Sequence, residues 1–321
     1  MVSLSNHHGH VDGRRALISI GTNSTRLLVI EGEAQLAAES TGTRLGAGLA
    51  ERGRLDPEAK ARTLAVIVQY MERVRGFGAS VACIATSAMR RASDGDAFAR
   101  DVAALVGVPP RVLSGDEEAT FSFLGATRTL DGTEPVGVLD VGGGSTELAI
   151  DVPTRARRHG HVARTLSLEV GAVRLSERHP ALMGGAALDA PAREQLAAEA
   201  RTDAAAVLAP LAPLGPVHDL VAVGGTAFTA AAMVARAPLR DGVVISAADR
   251  AQLVDDLLAR DLEGRKAMPF IRPQRADILP AGILVVDEAC RLLQVDEIRV
   301  SVDDLLAGYL YSNPEPEPTA G

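Results

Sequence analysis

Short apolar runs and longer segments with helical spacing alternate along most of the chain, which predicts an α/β fold. Two of the apolar runs end in a glycine-containing turn and are followed at once by a second apolar run, within residues 18–30 and 139–152. Two apolar strands joined by a tight, glycine-permitted turn are typical of a β-hairpin. Residues 18–27 align without gaps on residues 139–148, and Gly, Ser, Thr and Leu recur at matching positions. The pattern therefore predicts a duplicated hairpin, one copy in each half of the chain.

Similar elements follow each hairpin. After the first hairpin, the pattern predicts strands at 35–39, 81–85 and 111–113 and helices at 57–75, 97–105 and 117–129. After the second, it predicts strands at 164–167, 220–223 and 297–300 and helices at 190–211, 226–235, 248–259, 277–293 and 305–310. Two such units in tandem predict two α/β domains, each with a mixed sheet, that face one another across a cleft. We expect a first domain at 15–132 with 299–312 packing back on it, a second domain at 133–298, and disordered tails at 1–14 and 313–321.

Composition and charge exclude several classes of protein. The 321 residues include 33 Lys and Arg against 41 Asp and Glu, and the formal net charge of -8 argues against a dedicated nucleic-acid binder. Aromatic residues make up 3% of the chain, which argues against a platform for stacking bases. Neither lysine, Lys60 or Lys266, follows a glycine, so the Gly-Lys step of a P-loop is absent.

The cysteines and the apolar segments bear on the compartment. Cys83 and Cys290 each lie within an apolar segment, and the chain has neither a CxxC pair nor a Cys/His cluster. Buried free thiols are typical of a reducing cytosol. No window approaches the roughly 18 uninterrupted apolar residues of a membrane span, and residues 1–14 contain no apolar signal segment. We therefore expect a cytoplasmic protein with no membrane partner.

The paired glycine turns predict an anion site. A bare backbone turn presents N–H groups that hold phosphate oxygens with no side chain in the way. One turn from each domain would hold an anion from both sides, provided that Gly21 and Gly142 line one pocket. A glycine-rich turn can also be a turn and nothing more, but two unrelated turns have no reason to share Ser-Thr-x-Leu.

The segment from Asp140 to Glu147, with residues 21–24 before it, resembles the exopolyphosphatase and guanosine pentaphosphate phosphatase family of the actin-like, sugar-kinase and Hsp70 superfamily. Further segments that are similar to the family's motifs follow in the family's order, at 44–49, 86–90, 113–119, 171–175, 224–226 and 275–277. The resemblance extends from residue 16 to about residue 311 and, by length, points to the short two-domain members. It implies two RNase H-like (actin-like ATPase) domains around a cleft, hydrolysis of phosphoanhydride bonds, and a homodimer.

The resemblance also implies roles for single residues. Asp140 and Glu147 would handle phosphate and Mg²⁺, or Mn²⁺ in its place, since both metals take hard oxygen ligands. Glu118 matches the family's catalytic acid and would act as general base on the attacking water, with Glu117 as the fallback. Arg90 would bind two phosphate oxygens through its planar guanidinium. The remaining substrate contacts would come from the glycine turns, at Thr22, Asn23, Ser24, Gly142, Gly143, Gly144, Ser145, Gly224, Gly225 and Thr226.

Several of these residues also have a purely structural interpretation. Asp140 can be a solvated residue that caps a turn, and acids at 117 and 118 stabilise a helix N-terminus whether or not they react. We interpret the one basic concentration as a solvated hairpin loop in preference to a track for a long polyanion; its residues are Arg155, Arg157, Arg158, His159, His161 and Arg164.

The chain departs from the family's pattern at two places. Ser19 stands where the family usually has Asp, and residues 305–308 read Leu-Leu-Ala-Gly where Leu-Arg-Glu-Gly is usual. Asp303 and Asp304 lie close to the second place and are candidates to replace part of the lost charge.

We therefore predict a Mg²⁺-dependent phosphohydrolase that releases the terminal phosphate of inorganic polyphosphate, or the 5′-terminal phosphate of guanosine pentaphosphate (pppGpp). Two alternatives stay open. A non-catalytic sensor of polyphosphate or a nucleotide is made plausible by Ser19 and the missing Arg-Glu. An actin-like ATPase or small-molecule kinase would need an adenosine pocket in the second domain, near residues 224–226.

Overall fold

Two β-sheets form the centre of the computed structural model, which describes residues 13–130, 135–151, 162 and 164–313. The first sheet consists of β1 (Arg14–Ile20), β2 (Ser24–Glu31), β3 (Ala34–Gly42), β4 (Ser80–Ala85) and β5 (Arg111–Val112). The second consists of β6 (Val136–Val141), β7 (Thr146–Ile150), β8 (Arg164–Leu168), β9 (Asp219–Val223), β10 (Val243–Ser246) and β11 (Glu297–Val300). The strand orders are β3-β2-β1-β4-β5 and β10-β11-β9-β6-β7-β8.

Both sheets begin with the same three-stranded unit. β1, β2 and β3 pair antiparallel, and so do β6, β7 and β8. The first strand of each unit then pairs in parallel with a strand that follows a longer connection, β4 in one sheet and β9 in the other. The predicted fold class, α/β with two mixed sheets on either side of a cleft, is confirmed.

Helices connect and cover the sheets in the described part of the chain. In order they are α1 (Leu49–Arg52), α2 (Pro57–Phe77), α3 (Ser87–Arg91), α4 (Gly95–Val106), α5 (Gly115–Ala126), α6 (Ala172–Arg178), α7 (Ala190–Leu208), α8 (Gly224–Ala235), α9 (Ala247–Leu258), α10 (Leu262–Lys266), α11 (Leu279–Leu293) and α12 (Leu305–Ser312). Local sequence explains where several of them begin. Asp56 caps α2, and Ser114 and Ser246 form capping boxes with the acids three residues later at the starts of α5 and α9. None of the helices in the described part is long and apolar enough to cross a membrane.

Differences from the predicted elements are confined to short pieces and to the ends of helices and strands. The pattern did not predict α1, α3, α6, α10 or β10, which have four to seven residues each. Pieces of this length depend on tertiary contacts, as where the N–H of Ala172 at the start of α6 donates to the carbonyl of Gly142 at 2.9 Å. The helix predicted at 190–211 ends at Leu208 and continues as a 3₁₀ helix, Ala209–Leu214, where two prolines remove backbone donors.

Some predictions fall on residues outside the described part of the chain. These are most of the two predicted tails and the basic residues Arg155, Arg157, Arg158, His159 and His161. At the edges of the described part, Arg14 is the first residue of β1 and Arg164 the first of β8. The carbonyl of Asn313 accepts a hydrogen bond from Arg15 at 2.9 Å.

Helices α5 and α12 lie between the two sheets. Ala119 and Phe123 of α5 pack in a core cluster with residues of the second sheet, and Leu306 and Leu310 of α12 pack in another with residues of the first. The two helices also pack closely on one another. Helices α5 and α12 therefore link the two sheets at the base of the cleft.

Two glycines allow this close packing. A Cβ atom built on Gly308 of α12 would overlap the carbonyl oxygen of Phe121, and one built on Gly125 of α5 would overlap the carbonyl oxygen of Asp304. The two backbones therefore approach more closely than any residue with a side chain would permit.

Replacing Gly308 by Ala is expected to lower the free energy of unfolding by about 1–3 kcal/mol, because the added methyl group forces α5 and α12 apart. Chemical denaturation measures the change. Gly76→Ala is the matched control: Gly76 is an exposed residue of α2, and an added Cβ there meets nothing within 4 Å. The control is expected to gain about 0.5–1 kcal/mol of helix stability. A Gly308→Ala protein as stable as the wild type would contradict this account of the helix packing.

Candidate active site

The two glycine turns line one cavity of about 100 Å³ between the sheets. Gly21 and Gly142 both belong to its lining, so the condition on which the predicted anion site depends is met. The turns are closed in the same way, since the N–H of Gly21 donates to the carbonyl of Ser24 and the N–H of Gly142 to the carbonyl of Ser145, each at 3.0 Å. The duplication seen in the sequence is therefore also a duplication of turn geometry.

The turns contact one another and leave amide groups unused. A Cβ built on Gly143 would lie 3.2 Å from the backbone nitrogen of Asn23, and one on Gly144 would lie 2.8 Å from Oγ1 of Thr22. In the described part of the chain, the N–H groups of Thr22, Asn23, Gly143 and Gly144 have no hydrogen-bond acceptor. Such groups at a pair of facing turns suit an anion.

Three acidic side chains face the same cavity. Asp140 is the last residue but one of β6 and pairs across the hairpin with Glu147 of β7, and Glu118 comes from α5. Glu118 and Glu147 are 6% and 3% exposed. Burial raises the pKa of Glu118 to about 7 and that of Asp140 to about 6. The pKa of Glu147 is raised well above its usual value by burial and then by the charges of Glu118 and Asp140.

Each acid accepts a hydrogen bond from a different element. Arg90 of α3 donates to Glu118, and the hydroxyl of Ser167 on β8 donates to Oε1 of Glu147 at 2.8 Å. The hydroxyl of Ser122 on α5 donates to Oδ2 of Asp140 at 3.0 Å. These bonds favour the ionised acids and partly offset the effect of burial.

The structure adds two arginines that were not predicted as site residues. Arg26 of β2 lies directly across from Ser19 of β1, which places this pair at the same point of the first hairpin as Asp140 and Glu147 in the second. Arg275 lies with its Nη2 atom 3.5 Å from the hydroxyl of Ser24. Burial lowers the pKa of Arg275 to about 10, which leaves it protonated at neutral pH. The internal repeat contained the signal for Arg26, because it aligns with Glu147.

Most of the predicted substrate-binding residues line the cavity, and some do not. Thr22, Asn23, Ser24, Gly142, Gly143, Gly144, Ser145, Gly224 and Gly225 are in the lining. Thr226 is buried beneath it, where its hydroxyl donates to the carbonyl of Val141 at 3.4 Å. Arg90 stands behind Glu118. Glu117 is turned away from the cavity, since it caps α5 with Ser114 and forms an ion pair with Arg111.

A larger cavity of about 420 Å³ adjoins the first one. The two share the residues Arg26, Gly225, Arg275 and Leu306. Asp304 lies on the side of the larger cavity and forms an ion pair with Arg26 at 2.5 Å, and Asp303 pairs with Arg128 at 2.9 Å. Asp304 therefore balances the charge of Arg26, the residue that pairs with Ser19 across the first hairpin. Asp304 is also close enough to Asp140 to raise its pKa.

The donor set around the smaller cavity fits a hard cation. Asp140 and Glu147 supply carboxylates, and Oδ1 of Asn23 is a buried acceptor with no hydrogen-bond donor in the described part of the chain. No group of three or more His, Cys, Asp or Glu among the described residues is arranged to hold a metal by itself. Mg²⁺ is usually held by one or two carboxylates, with substrate phosphates and water completing its ligands. The residues present fit that mode of binding.

Comparisons with known proteins point to one phosphatase family. The model of the Ppx/GppA phosphatase family matches residues 29–315. "Exopolyphosphatase 2" of Mycobacterium tuberculosis is 33% identical over 328 residues, which cover 93% of this chain and 98% of that protein. Among solved structures, an exopolyphosphatase-like protein has a TM-score of 0.82 at 26% identity and covers 93% of this chain and 98% of its own. The Ppx/GppA family member of Aquifex aeolicus has a TM-score of 0.74 at 26% identity, over 94% of this chain and 97% of its own.

The crowded acids predict that the metal-free protein becomes less stable as pH rises. Because the folded chain raises the pKa of Glu147, it binds more protons than the unfolded chain at pH values between the two pKa values, and the free energy of unfolding falls there as pH increases. Glu147→Gln is therefore expected to melt at a higher temperature than the wild type at about pH 8 and at a similar temperature at about pH 4.

Thermal denaturation in the presence of a chelator, over that pH range, measures the difference. Glu72→Gln, at an exposed position of α2, is the control and should follow the wild type at every pH. A Glu147→Gln protein that also follows the wild type would show that the charges of these acids do not strain the fold.

Proposed function

The chain belongs to the Ppx/GppA phosphatase family, and on that premise we propose that it releases the terminal phosphate of inorganic polyphosphate. The observation that carries the proposal is a single cavity that joins two glycine turns with unused N–H groups to three buried acids. The M. tuberculosis relative is named as an exopolyphosphatase, which supports polyphosphate as the substrate. The chain is accordingly a hydrolase that acts on phosphoanhydride bonds.

The turns and the arginines hold the phosphoryl group that is removed. The N–H groups of the two turns bind its oxygens from both sides, and Arg26 and Arg275 contribute positive charge at the opening to the larger cavity. Arg90 uses its Nη1 atom for Glu118 and for the carbonyl of Leu113 at 2.5 Å. Because Arg90 stands behind Glu118 and outside the cavity lining, it acts on the reaction by holding that carboxylate.

Glu118 takes a proton from the attacking water. Its pKa of about 7 suits a general base that works near neutral pH, and Arg90 keeps its carboxylate at a fixed position. Asp140 and Glu147 would hold Mg²⁺, whose charge offsets that of the phosphoryl oxygens when it is bound. Positioning and charge stabilisation are the main requirements of phosphoryl transfer, and the remaining residues of the cavity supply both.

The larger cavity supports pppGpp as a second substrate. Arg26 and Arg275 line both cavities and lie where the two meet. Phe228 and Phe270 contribute aromatic surface to the lining of the larger one. A volume of about 420 Å³ is within the usual range for small-ligand pockets, so a nucleoside attached to the phosphates would have a place to bind.

Glu118→Gln is expected to lower kcat for phosphate release by about 100-fold or more, because the amide cannot accept the proton from water, while KM changes little. Glu117→Gln is the matched control, since the neighbouring acid points away from the cavity and Gln preserves the capping box. The control should stay close to the wild type. If Glu118→Gln retained near-full activity, or if Glu117→Gln lost as much, Glu118 would not be the base.

A panel of substrates tests the reaction itself. The wild type is expected to release phosphate from short and long polyphosphate and from pppGpp, and not from ATP, in the presence of Mg²⁺. Malachite-green detection of phosphate measures all four reactions in parallel. Binding of polyphosphate without phosphate release, with either Mg²⁺ or Mn²⁺, would replace the hydrolase by the sensor. Release from ATP alone would favour the ATPase.

A further inference from the structure

Ser122 is a buried residue of α5 that contacts the candidate site without lining its cavity. It is 1% exposed, and its hydroxyl donates to Oδ2 of Asp140 at 3.0 Å. Ser122 lies four residues after Glu118 on the same helix, so the two side chains project from one face of α5. One face of a single helix therefore contacts two of the three acids.

The direction of this hydrogen bond is unusual for the helix. A Ser or Thr hydroxyl inside a helix commonly donates to the carbonyl four residues earlier. Thr120 of α5 does so to Asp116 at 2.7 Å, and Thr127, which follows the last residue of α5, does so to Phe123 at 2.8 Å. Ser122 instead donates across to β6, which ties the helix to the end of a strand of the second sheet.

The other oxygen of Asp140 is also confined. Gly224 has a φ of +82°, and a Cβ built on it would overlap Oδ1 of Asp140. Oδ1 of Asp140 therefore occupies space that only a glycine at position 224 leaves open. The hydroxyl of Ser122 is the group that holds Oδ2.

We propose that Ser122 is a positioning residue that sets the orientation of the Asp140 carboxylate through its hydrogen bond to Oδ2. Together with Glu118 one turn earlier, it makes α5 the element that fixes both the base and the acid opposite it. This inference rests on the proposed function, because it gives Asp140 an orientation that matters for phosphate and metal binding.

Three substitutions separate the hydroxyl from the packing. Ser122→Ala removes the hydroxyl, and Ser122→Thr and Ser122→Val form a pair of nearly equal shape of which only Thr keeps it. Ser176→Ala is the control, since Ser176 is also a 1% exposed helical serine but donates to the carbonyl of Ala172 within its own helix. Two readouts are used: kcat and KM for polyphosphate, and the Mg²⁺ concentration that gives half of the maximal rise in melting temperature without substrate.

Ser122→Ala and Ser122→Val are expected to lose about 10-fold or more in kcat with little change in KM, and to need more Mg²⁺ for the same thermal shift. Ser122→Thr is expected to recover most of both, and Ser176→Ala to keep the wild-type values even where its melting temperature falls. A Ser122→Ala protein with kcat within about threefold of the wild type and the same Mg²⁺ midpoint overturns the proposal. If the added methyl group unfolds Ser122→Thr, the comparison of Ser122→Ala with Ser176→Ala decides.

The outcome also separates this inference from the proposed function. A wild type that releases no phosphate from any substrate but is stabilised by Mg²⁺ removes the hydrolase, and the Mg²⁺ midpoints of the variants still decide the role of Ser122. An active wild type whose Ser122 variants are equally active and keep the wild-type Mg²⁺ midpoint keeps the hydrolase and removes the positioning residue. A wild type with neither activity nor a Mg²⁺ shift overturns both.

Discussion

The contact between the two hairpin turns is the constraint on which the rest of the site depends. Gly143 and Gly144 lie so close to Thr22 and Asn23 that a side chain at either glycine would force its neighbours to shift. Because the turns end the central strands of two different sheets, this contact brings the ends of both sheets to one place. The glycines thus serve two needs at once: they let the backbones meet, and they leave amide groups uncovered where they meet.

The same approach of the two sheets concentrates negative charge. Burial raises the pKa of Glu118, Asp140 and Glu147. The charge of Asp140 raises the pKa of Glu118 further, and the charges of Glu118 and Asp140 do the same for Glu147. Hydrogen bonds from Arg90, Ser122 and Ser167 offset part of this cost without removing it. Buried acids of this kind lower the stability of the fold. Their presence in one cavity is typical of a functional site, here one proposed to bind a cation.

The sequence predicts those parts of this arrangement that depend on local sequence pattern. The repeat identified both hairpins, and the helix predicted at 117–129 lies close to α5, which runs from Gly115 to Ala126. The sequence does not predict contacts made across the fold, such as Ser122 with Asp140 or Arg26 with Asp304, because nothing in their sequence spacing records that they meet. Thr226 is the converse case, a residue that the sequence places in the site and the structure places outside the cavity lining. It belongs to a motif that suits anions, yet its burial beneath the cavity follows from how α8 packs on β6, which the motif does not specify.

The two copies of the hairpin have diverged into complementary halves. At the equivalent cross-strand position, the second copy has Asp140 and Glu147, whereas the first has Ser19 and Arg26. Arg26 is held by Asp304, the residue that caps α12. Two acidic copies would repel a phosphate chain, and two basic copies would bind it but could not hold a metal or accept a proton. The loss of an acid at Ser19 therefore need not mark an inactive site. It removes one negative charge beside Arg26, on the side of the cavity that opens toward the larger pocket, where an incoming polyanion needs positive charge most.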